Sequence, residues 1–543
     1  MRNGWTGLCA VAVVAIALAG SAPVGAQSTP PRGGVLTLVE SADPQTLGAV
    51  LTSASSQGYF TGPALEALLG LDWKNDVLGP TPGLAESWKV SADGLTYTFN
   101  LVKNAKWHDG VPFTSADVKF TFQELTSKLH PVGRTLFQSV TAIDAPDKHT
   151  VVLKLKDPFP GFLLVLNQGL SLGVIMPKHL YEGTDYANNP RNFGNLVGTG
   201  PFKLVEYRRG SFLRYVRNPD YWRSGMPYLD EVIVRIVPDA STRGTMLRAG
   251  EVDAMSWSGV PLSKVKELLA LPDIAMNTVP QASASLNYLV FNVRNKPLSD
   301  VRVRRALAHA IDRNLVVDLA QEGLAKVATS NLSSALGKGY WNPSPPYPRL
   351  YPFNVDKANA LLDEGGYRRG PDGKRFKLKY VSGTHQPFQF SVAEVVKQQL
   401  GKVGIDLDVQ LVDVNAMIDM AYKKWEFDIH SVTITGGPVP EIFISRFYRS
   451  DNSVKGVTFN NNAGYANPIV DELFKKAMRE TSRDVRARLW YQIQDILAED
   501  MPVLALWEIP QPLLYNKRVS GVWDSPQASQ SDMRFHAIYR TKK

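Results

Sequence analysis

The stretch Leu84–Phe122, LAESWKVSADGLTYTFNLVKNAKWHDGVPFTSADVKFTF, narrows the folds open to this chain more than any other. Ser91-Ala92-Asp93-Gly94 is a turn, because an aspartate side chain bonds its own backbone and glycine accepts a positive φ. From Thr96 to Leu101 polar and apolar residues alternate with the period of a half-buried strand. A second turn follows at His108-Asp109-Gly110, with Trp107 expected beneath it. Thr114 or Ser115 then caps a helix running from Ala116. The result is a compact strand–turn–strand–helix unit, and nothing in it is arranged for bond-breaking chemistry.

At the N-terminus, Arg2, the apolar run Leu8–Gly20 and the small-residue end Val24-Gly25-Ala26 have the order of a secretory signal, residues 1–26. The run is short for a bilayer span and nothing like it recurs. Cys9, preceded by Leu8 rather than by the small residue that lipid attachment needs, is the only cysteine. Without disulfides, an exported chain of this size has to rest on its hydrophobic core. Apolar residues make up 44% and charged residues 20%, the balance of a soluble globular protein of two or three domains. The net charge of +9 is dispersed in short clusters such as Arg208-Arg209 and Arg302-Arg304-Arg305. Nucleic-acid binders gather such charge into an aromatic-laced stripe, so no nucleic-acid partner is expected. The charge reads as solvated surface with mild steering of acidic ligands.

Further along, Gly33–Val39 reads as a first strand, Ala64–Leu69 as a short helix, and 143–157 as a strand pair around Pro146-Asp147-Lys148. A second block, GTGPFKLVEYRRGSFLRYVRNPDYW from Gly198, holds two strands and an aromatic turn. The strand LDEVIVRIVP, a helix from Thr242 and Gly250–Ala254 follow it. A third block, residues 286–317, reads as a strand and then a helix with Val303, Ala306, Leu307, Ala310 and Ile311 on one face. Then come a helix at Val392–Val403, a strand from Ile405, an amphipathic helical region at Asp471–Met501 and a strand at Val503–Trp507. Strands alternating with helices argue for α/β units. No repeat or low-complexity linker separates them.

The Trp107-His108-Asp109-Gly110 turn with its Thr-Ser-Ala-Asp-Val helix start, and the two later blocks in the same order, resemble one family. It is the family 5 solute-binding proteins of ABC importers, which include oligopeptide-, dipeptide- and nickel-binding receptors. The resemblance covers nearly the whole chain after the signal. It implies an α/β, two-lobed periplasmic-binding-protein fold of type II, with an extra domain and a hinge-closing cleft. Carried onto this sequence, the first lobe is 33–62, 192–285 and 508–543, the extra domain is 63–191, and the second lobe is 286–507. The hinge strands fall near Gln281–Ser285 and Trp507–Pro510. The resemblance also implies an inner-membrane ABC permease as partner, a small-molecule or short-peptide ligand, a monomer, a periplasmic location and no cofactor.

Catalytic motifs are absent: there is no GxSxG elbow, HExxH helix or phosphate loop. The histidines never fall at i, i+2 or i, i+4 spacing, so neither catalytic nor metal-ligating residues are expected. His108-Asp109, followed by Gly110, reads as a turn. Ligand residues belong on loops at strand ends. In the first lobe these are Ser41 after the first strand, Gln57 and Tyr59 ahead of the first helix, and Trp257. Tyr59 and Trp257 are equally readable as packing. In the second lobe they are Thr384 and His385, then Thr433, Thr435, Gly436, Gly437 and Glu441 in the loop 433–443. The two glycines would let the backbone approach a ligand, or simply make a turn.

In the peptide binders of the family that loop carries Asp-Pro before an aromatic, and the carboxylate holds the peptide's α-ammonium. Here Val439 precedes Pro440, with Phe443 beyond, and Glu441 is the nearest carboxylate. The departure favours non-peptide solutes such as sugars, opine-like compounds, chelated metals or small acids. The alternatives are a peptide receptor of the same family, or an exported enzyme or chaperone on the same scaffold. An enzyme would use His385 or Glu441 as its base.

Overall fold

The computed structural model describes residues 30–541 except 53–56, 75–76, 131, 170, 257–259, 261, 278–284, 385, 387, 436–438, 510–512 and 522–532. The opening motif forms as its pattern requires. Ala85–Val90 and Thr96–Leu101 pair antiparallel, with Trp88 opposite Phe99. The turn between them is closed by Asp93, whose Oδ1 accepts from the Leu95 N–H at 2.9 Å, and by Gly94 at φ +71°. Thr150–Leu155 and Val140–Asp147 extend this hairpin into a four-stranded sheet. The helix Ser115–Phe120 starts at Thr114, whose N–H donates to Asp117 Oδ2 at 2.9 Å. Phe99, Trp107, Phe113, Phe122, Leu153 and Phe162 fill the core beneath, all buried.

Two larger sheets carry the rest of the described chain. The first has the spatial order Ile274–Met276, Leu513–Asn516, Ala254–Ser256, Val35–Glu40, Glu231–Ile236, Phe212–Arg217, Phe202–Arg208. The second has the order Lys326–Val327, Val503–Ile509, Ser285–Phe291, Ile429–Thr435, Phe376–Gly383, Ile405–Val412. Leu36 and Leu38 face one core of the first sheet while Val39 faces another, the two-residue period of a strand buried on both sides. The helices Val301–Ala310, Arg313–Gln321 and Phe388–Lys402 lie on the second sheet. The chain passes from the first sheet to the second between Met276 and Ser285, and returns between Ile509 and Leu513.

Two local expectations are corrected. Ala64–Leu69 is not a helix: a helix occupies Gln57–Thr61, and a strand begins at Leu69. The backbone groups of residues 63–68 bond across the fold instead, with Pro63 O accepting from Phe202, Ala64 O from Gly200, and Leu68 N–H donating to Gly173 O. Tertiary pairing overrides a helix-favouring composition there. The C-terminal helical region is two helices, Pro468–Arg479 and Arg483–Asp500, the first with Asn467 as its N-cap.

The opening motif and the block from Gly198 are bolted together. A Cβ on Gly198 would lie 1.8 Å from the Ala64 carbonyl oxygen, so only glycine permits this approach. The buried Glu66 accepts from Thr199 Oγ1 at 2.9 Å, and from Tyr221 OH and Trp222 Nε1, both at 2.8 Å. Burial raises its carboxyl pKa even against those three donors. His108 Nδ1 accepts from the Gly198 N–H at 3.2 Å, so the proton sits on Nε2, which donates to the Gly200 carbonyl at 3.0 Å. Burial lowers the His108 pKa from 6.5 to about 4.

This neutral imidazole makes the clamp acid-labile. A folded pKa below the unfolded value gives stability that is complete above pH 6.5 and is lost as pH falls through 4. At about 1.4 kcal/mol per pH unit, roughly 3 kcal/mol is at stake. Urea midpoints at pH 7 and pH 4.5 should therefore fall further for the wild type than for His108→Asn, by about 2 kcal/mol. Equal losses in both proteins would show that His108 is not a buried neutral clamp.

Candidate functional site

The pairing pattern defines one edge on each large sheet. In the first sheet, Ser256 lies opposite Leu513 and Met276 opposite Leu514, while Glu40 is in register with Ile236. The ends of the parallel strands at Glu40, Ile236 and Ser256 thus lie at the edge where the chain leaves for, and returns from, the second sheet. In the second sheet, Ser285 pairs with both Thr435 and Ile509, and Gly383 with Val412. There too the ends of the parallel strands lie at the edge where the chain crosses. The two crossings bring these carboxyl-terminal edges face to face, the position where open α/β sheets hold ligands.

Ser41 follows Glu40 directly at the first edge and is exposed. At the second edge, Thr384 follows Gly383, its N–H bonded to Val412 O at 2.8 Å. Thr433 and Thr435 end the strand beside Ser285. Gln57 and Tyr59 lie within the first helix rather than ahead of it, both buried. Gln57 Nε2 donates to Thr46 O at 3.0 Å. The Tyr59 hydroxyl has no hydrogen-bond partner among the described residues. Trp257, His385, Gly436 and Gly437 lie outside the described residues, so the structure neither gathers nor separates them.

Glu441 stands apart from this group. It lies in the short helix Pro440–Phe443, 3% exposed, with Oε1 accepting from Trp490 Nε1 at 3.0 Å. Burial raises its pKa although Arg486 lies 3.9 Å away. Val439 is fully buried in the core of the four-stranded domain, among Phe159, Phe162 and Phe443. A Cβ on Gly161 would come within 2.7 Å of Val439 Cγ1. Beside it, Arg479 pairs with Asp157 at 3.2 Å. Val439 thus packs onto the four-stranded domain.

Polar groups that the sequence pattern did not single out cluster at the same edges. Asn287 lies between Thr433 and Trp507 on the second sheet. Its Nδ2 donates to Thr433 Oγ1 at 3.2 Å, and Thr433 Oγ1 donates to Gln386 Oε1 at 3.1 Å. Asn287 Oδ1 and Trp507 Nε1 are buried without partners among the described residues. Glu508 takes three donors from Ser333 and Ser334 on Oε2, while Oε1 has none. Glu40 ends the central strand of the first sheet. An asparagine inside the apolar run LNYLVF was the readable signal for Asn287; nothing in the local sequence marks Glu40 or Trp507.

Such an arrangement can hydrogen-bond and stack on a solute. Among the described residues, no group of three or more His, Cys, Asp or Glu could hold a metal ion, and no helix is long and apolar enough to cross a membrane. A separate depression of about 660 Å³ lies at the opposite edge of the first sheet, lined by Arg32, Lys106, Arg217 and the loop 218–226.

Residues 79–455 match the model of the bacterial extracellular solute-binding proteins, family 5. The chain is 28% identical over 498 residues to the oligopeptide-binding protein AppA of Bacillus subtilis, covering 88% of this chain and 87% of that one. It is 28% identical over 507 residues to the glutathione-binding protein GsiB of Salmonella typhimurium, covering 90% and 91%. Among solved structures, the binding protein AgaA of A. tumefaciens R10 in complex with agropinic acid aligns with a TM-score of 0.75 at 26% identity, over 94% of this chain and 99% of that one. Two lobes, a cleft between facing sheet edges and a match over most of the sequence agree: the chain belongs to the family 5 extracellular solute-binding proteins of ABC importers.

Proposed function

We propose that this receptor captures a small polar solute in the periplasm, as a monomer, by closing its two lobes, and delivers it to an inner-membrane ABC permease without altering it. The observation that carries the reading is the confrontation of the two strand-end edges, with the Tyr59 hydroxyl, Asn287 Oδ1 and Trp507 Nε1 buried and without hydrogen-bond partners among the described residues. Buried polar atoms are almost always bonded, and a cluster of exceptions in a cleft is what a ligand's own groups would complete. The domain division 33–62, 192–285 and 508–543 against 286–507, with 63–191 as the extra domain, belongs to this reading. So do the ligand contacts assigned to Ser41, Tyr59, Thr384, Thr433 and Thr435.

A non-peptide solute is favoured by the surroundings of Val439. Its methyl groups face Gly161 and phenylalanines, so an ammonium placed there would be buried without a partner. A peptide is the second reading, supported by the likeness to an oligopeptide-binding protein.

Native mass spectrometry of the purified protein should show a retained solute, and a thermal-shift screen of peptides, glutathione and opines should identify its class. A solute at a hundred times its Kd should add about 2.7 kcal/mol of stability and reduce the radius of gyration in small-angle scattering. No retained mass and no shift with any solute would sink the receptor reading. Val439→Asp should lose about 3 kcal/mol or more in urea unfolding, without gaining affinity for trialanine. A stable variant that binds trialanine at least about tenfold more tightly than wild type would show that this wall is open to ligand.

A further inference from the structure

Two segments that belong to the second sheet's half of the molecule seat apolar side chains in the core of the four-stranded domain. Val439 and Phe443 stand four residues apart about the short helix Pro440–Phe443, and both lie in that core, 0% and 5% exposed. Ile442 and Met478, half-buried, pack against it. Their chain neighbours Ile444, Phe447, Phe474 and Ala477 lie instead in the core around the second sheet. The boundary between the two cores therefore runs through these short stretches of chain.

Gly161 makes room for the contact from the other side. Its φ of −74° and ψ of −5° form a right-handed helical conformation open to any residue, so the backbone does not call for glycine. A Cβ there would lie 2.7 Å from Val439 Cγ1 and 3.1 Å from Phe159 Cε2. Valine is stiff at χ1 and does not swing a methyl aside freely. The space left by the missing Cβ is thus filled by a side chain from the second lobe. A second contact flanks the first. Arg479 Nη2 donates to Asp157 Oδ2 at 3.2 Å, and a Cβ on Gly94 would lie 3.6 Å from Thr481 Cγ2.

We infer that Val439 and Phe443 are an apolar latch between the lobes, which favours the closed form before any solute arrives. Burying apolar surface needs no ligand, and parting the lobes would return both side chains and the Phe159–Phe162 surface to water. This rests on the receptor reading above and concerns the regulation of its cleft. A solute's apparent affinity scales with the fraction of receptor already in the binding form. The latch raises that fraction for every solute alike, so it sets the strength of capture and leaves the choice of solute to the strand ends.

The test needs no solute. The full chain, in a Cys9→Ser background that leaves no native thiol, carries Lys89→Cys on the four-stranded domain and Lys476→Cys on the second lobe, both exposed positions, each spin-labelled. It is refolded from guanidinium until native mass spectrometry shows no retained mass, and pulsed dipolar spectroscopy reads the distances between labels. Wild type should populate the shorter, closed distance. Val439→Ala and Gly161→Ala, which disturb the latch from opposite lobes, should each lower the closed-to-open ratio by about tenfold. Arg479→Ala should lower it by less than about threefold, because its ion pair is exposed. Each variant should keep the wild-type far-ultraviolet circular dichroism, which separates opening from misfolding. The latch is overturned if the solute-free wild type sits wholly at the longer distance, or if either latch variant keeps the wild-type distribution. A retained solute together with unmoved distances would remove the latch and leave the receptor reading. Shifted distances in a protein that retains and binds no solute would remove the receptor reading and leave the latch.

Discussion

Everything functional in this molecule depends on the chain crossing twice between the same two sheet edges. One crossing would leave the sheets free to swing about a single tether. Two crossings, between Met276 and Ser285 and between Ile509 and Leu513, confine relative motion to bending about the line joining them. Both leave and enter where the parallel strands end, so the edges that carry Glu40, Ser41, Thr384 and Thr435 lie beside the crossings. Parallel strands need long return connections, which places their loops at those edges and supplies the side chains that could meet a solute. Val439 and the Arg479–Asp157 pair also contact the four-stranded domain. That exposed ion pair contributes little to stability.

The four-stranded domain is fixed to the first sheet far more firmly than the lobes are fixed to each other. Its attachment uses buried and charge-assisted bonds: Glu66 with three donors, and His108 bridging Gly198 and Gly200. The glycines at 198 and 200 let backbones approach so closely that any side chain would collide with Ala64. This contrast has a mechanical consequence. Parting the four-stranded domain from the first sheet would break the Glu66 and His108 bonds, whereas bending at the crossings need not.

Local pattern carried much of the architecture. The turn at Asp93-Gly94, the cap at Thr114 and the alternation through Thr96–Leu101 each rest on chemistry within a few residues, and each appears where the sequence placed it. The family resemblance, resting on those motifs and on the order of the later blocks, is matched by the family model over residues 79–455. What failed did so where the partner was distant. Ala64–Leu69 has helix-forming residues, but its carbonyls and amides are claimed by Gly200, Phe202 and Gly173, more than a hundred residues away. The same limit governs the candidate site. Ser41 and Thr384 were readable because they follow strands, whereas the lack of partners for Asn287 Oδ1 and Trp507 Nε1 among the described residues is a property of what surrounds them in space.

The relation between Val439 and Glu40 turns on where a charge can be tolerated. At Val439 the neighbours are Gly161, Phe159 and Phe162, and a carboxylate there would be desolvated on every side with nothing to bond. At Glu40 the carboxylate is already present at the strand end, and its desolvation is offset in part by Arg243 and by the Ser41 backbone. As two lobes meet on a solute, water leaves, the dielectric falls and polar contacts with it strengthen. A polar solute held from both edges would therefore bind the closed form better than the open one. That difference in affinity is the only quantity by which a ligand can drive the lobes together.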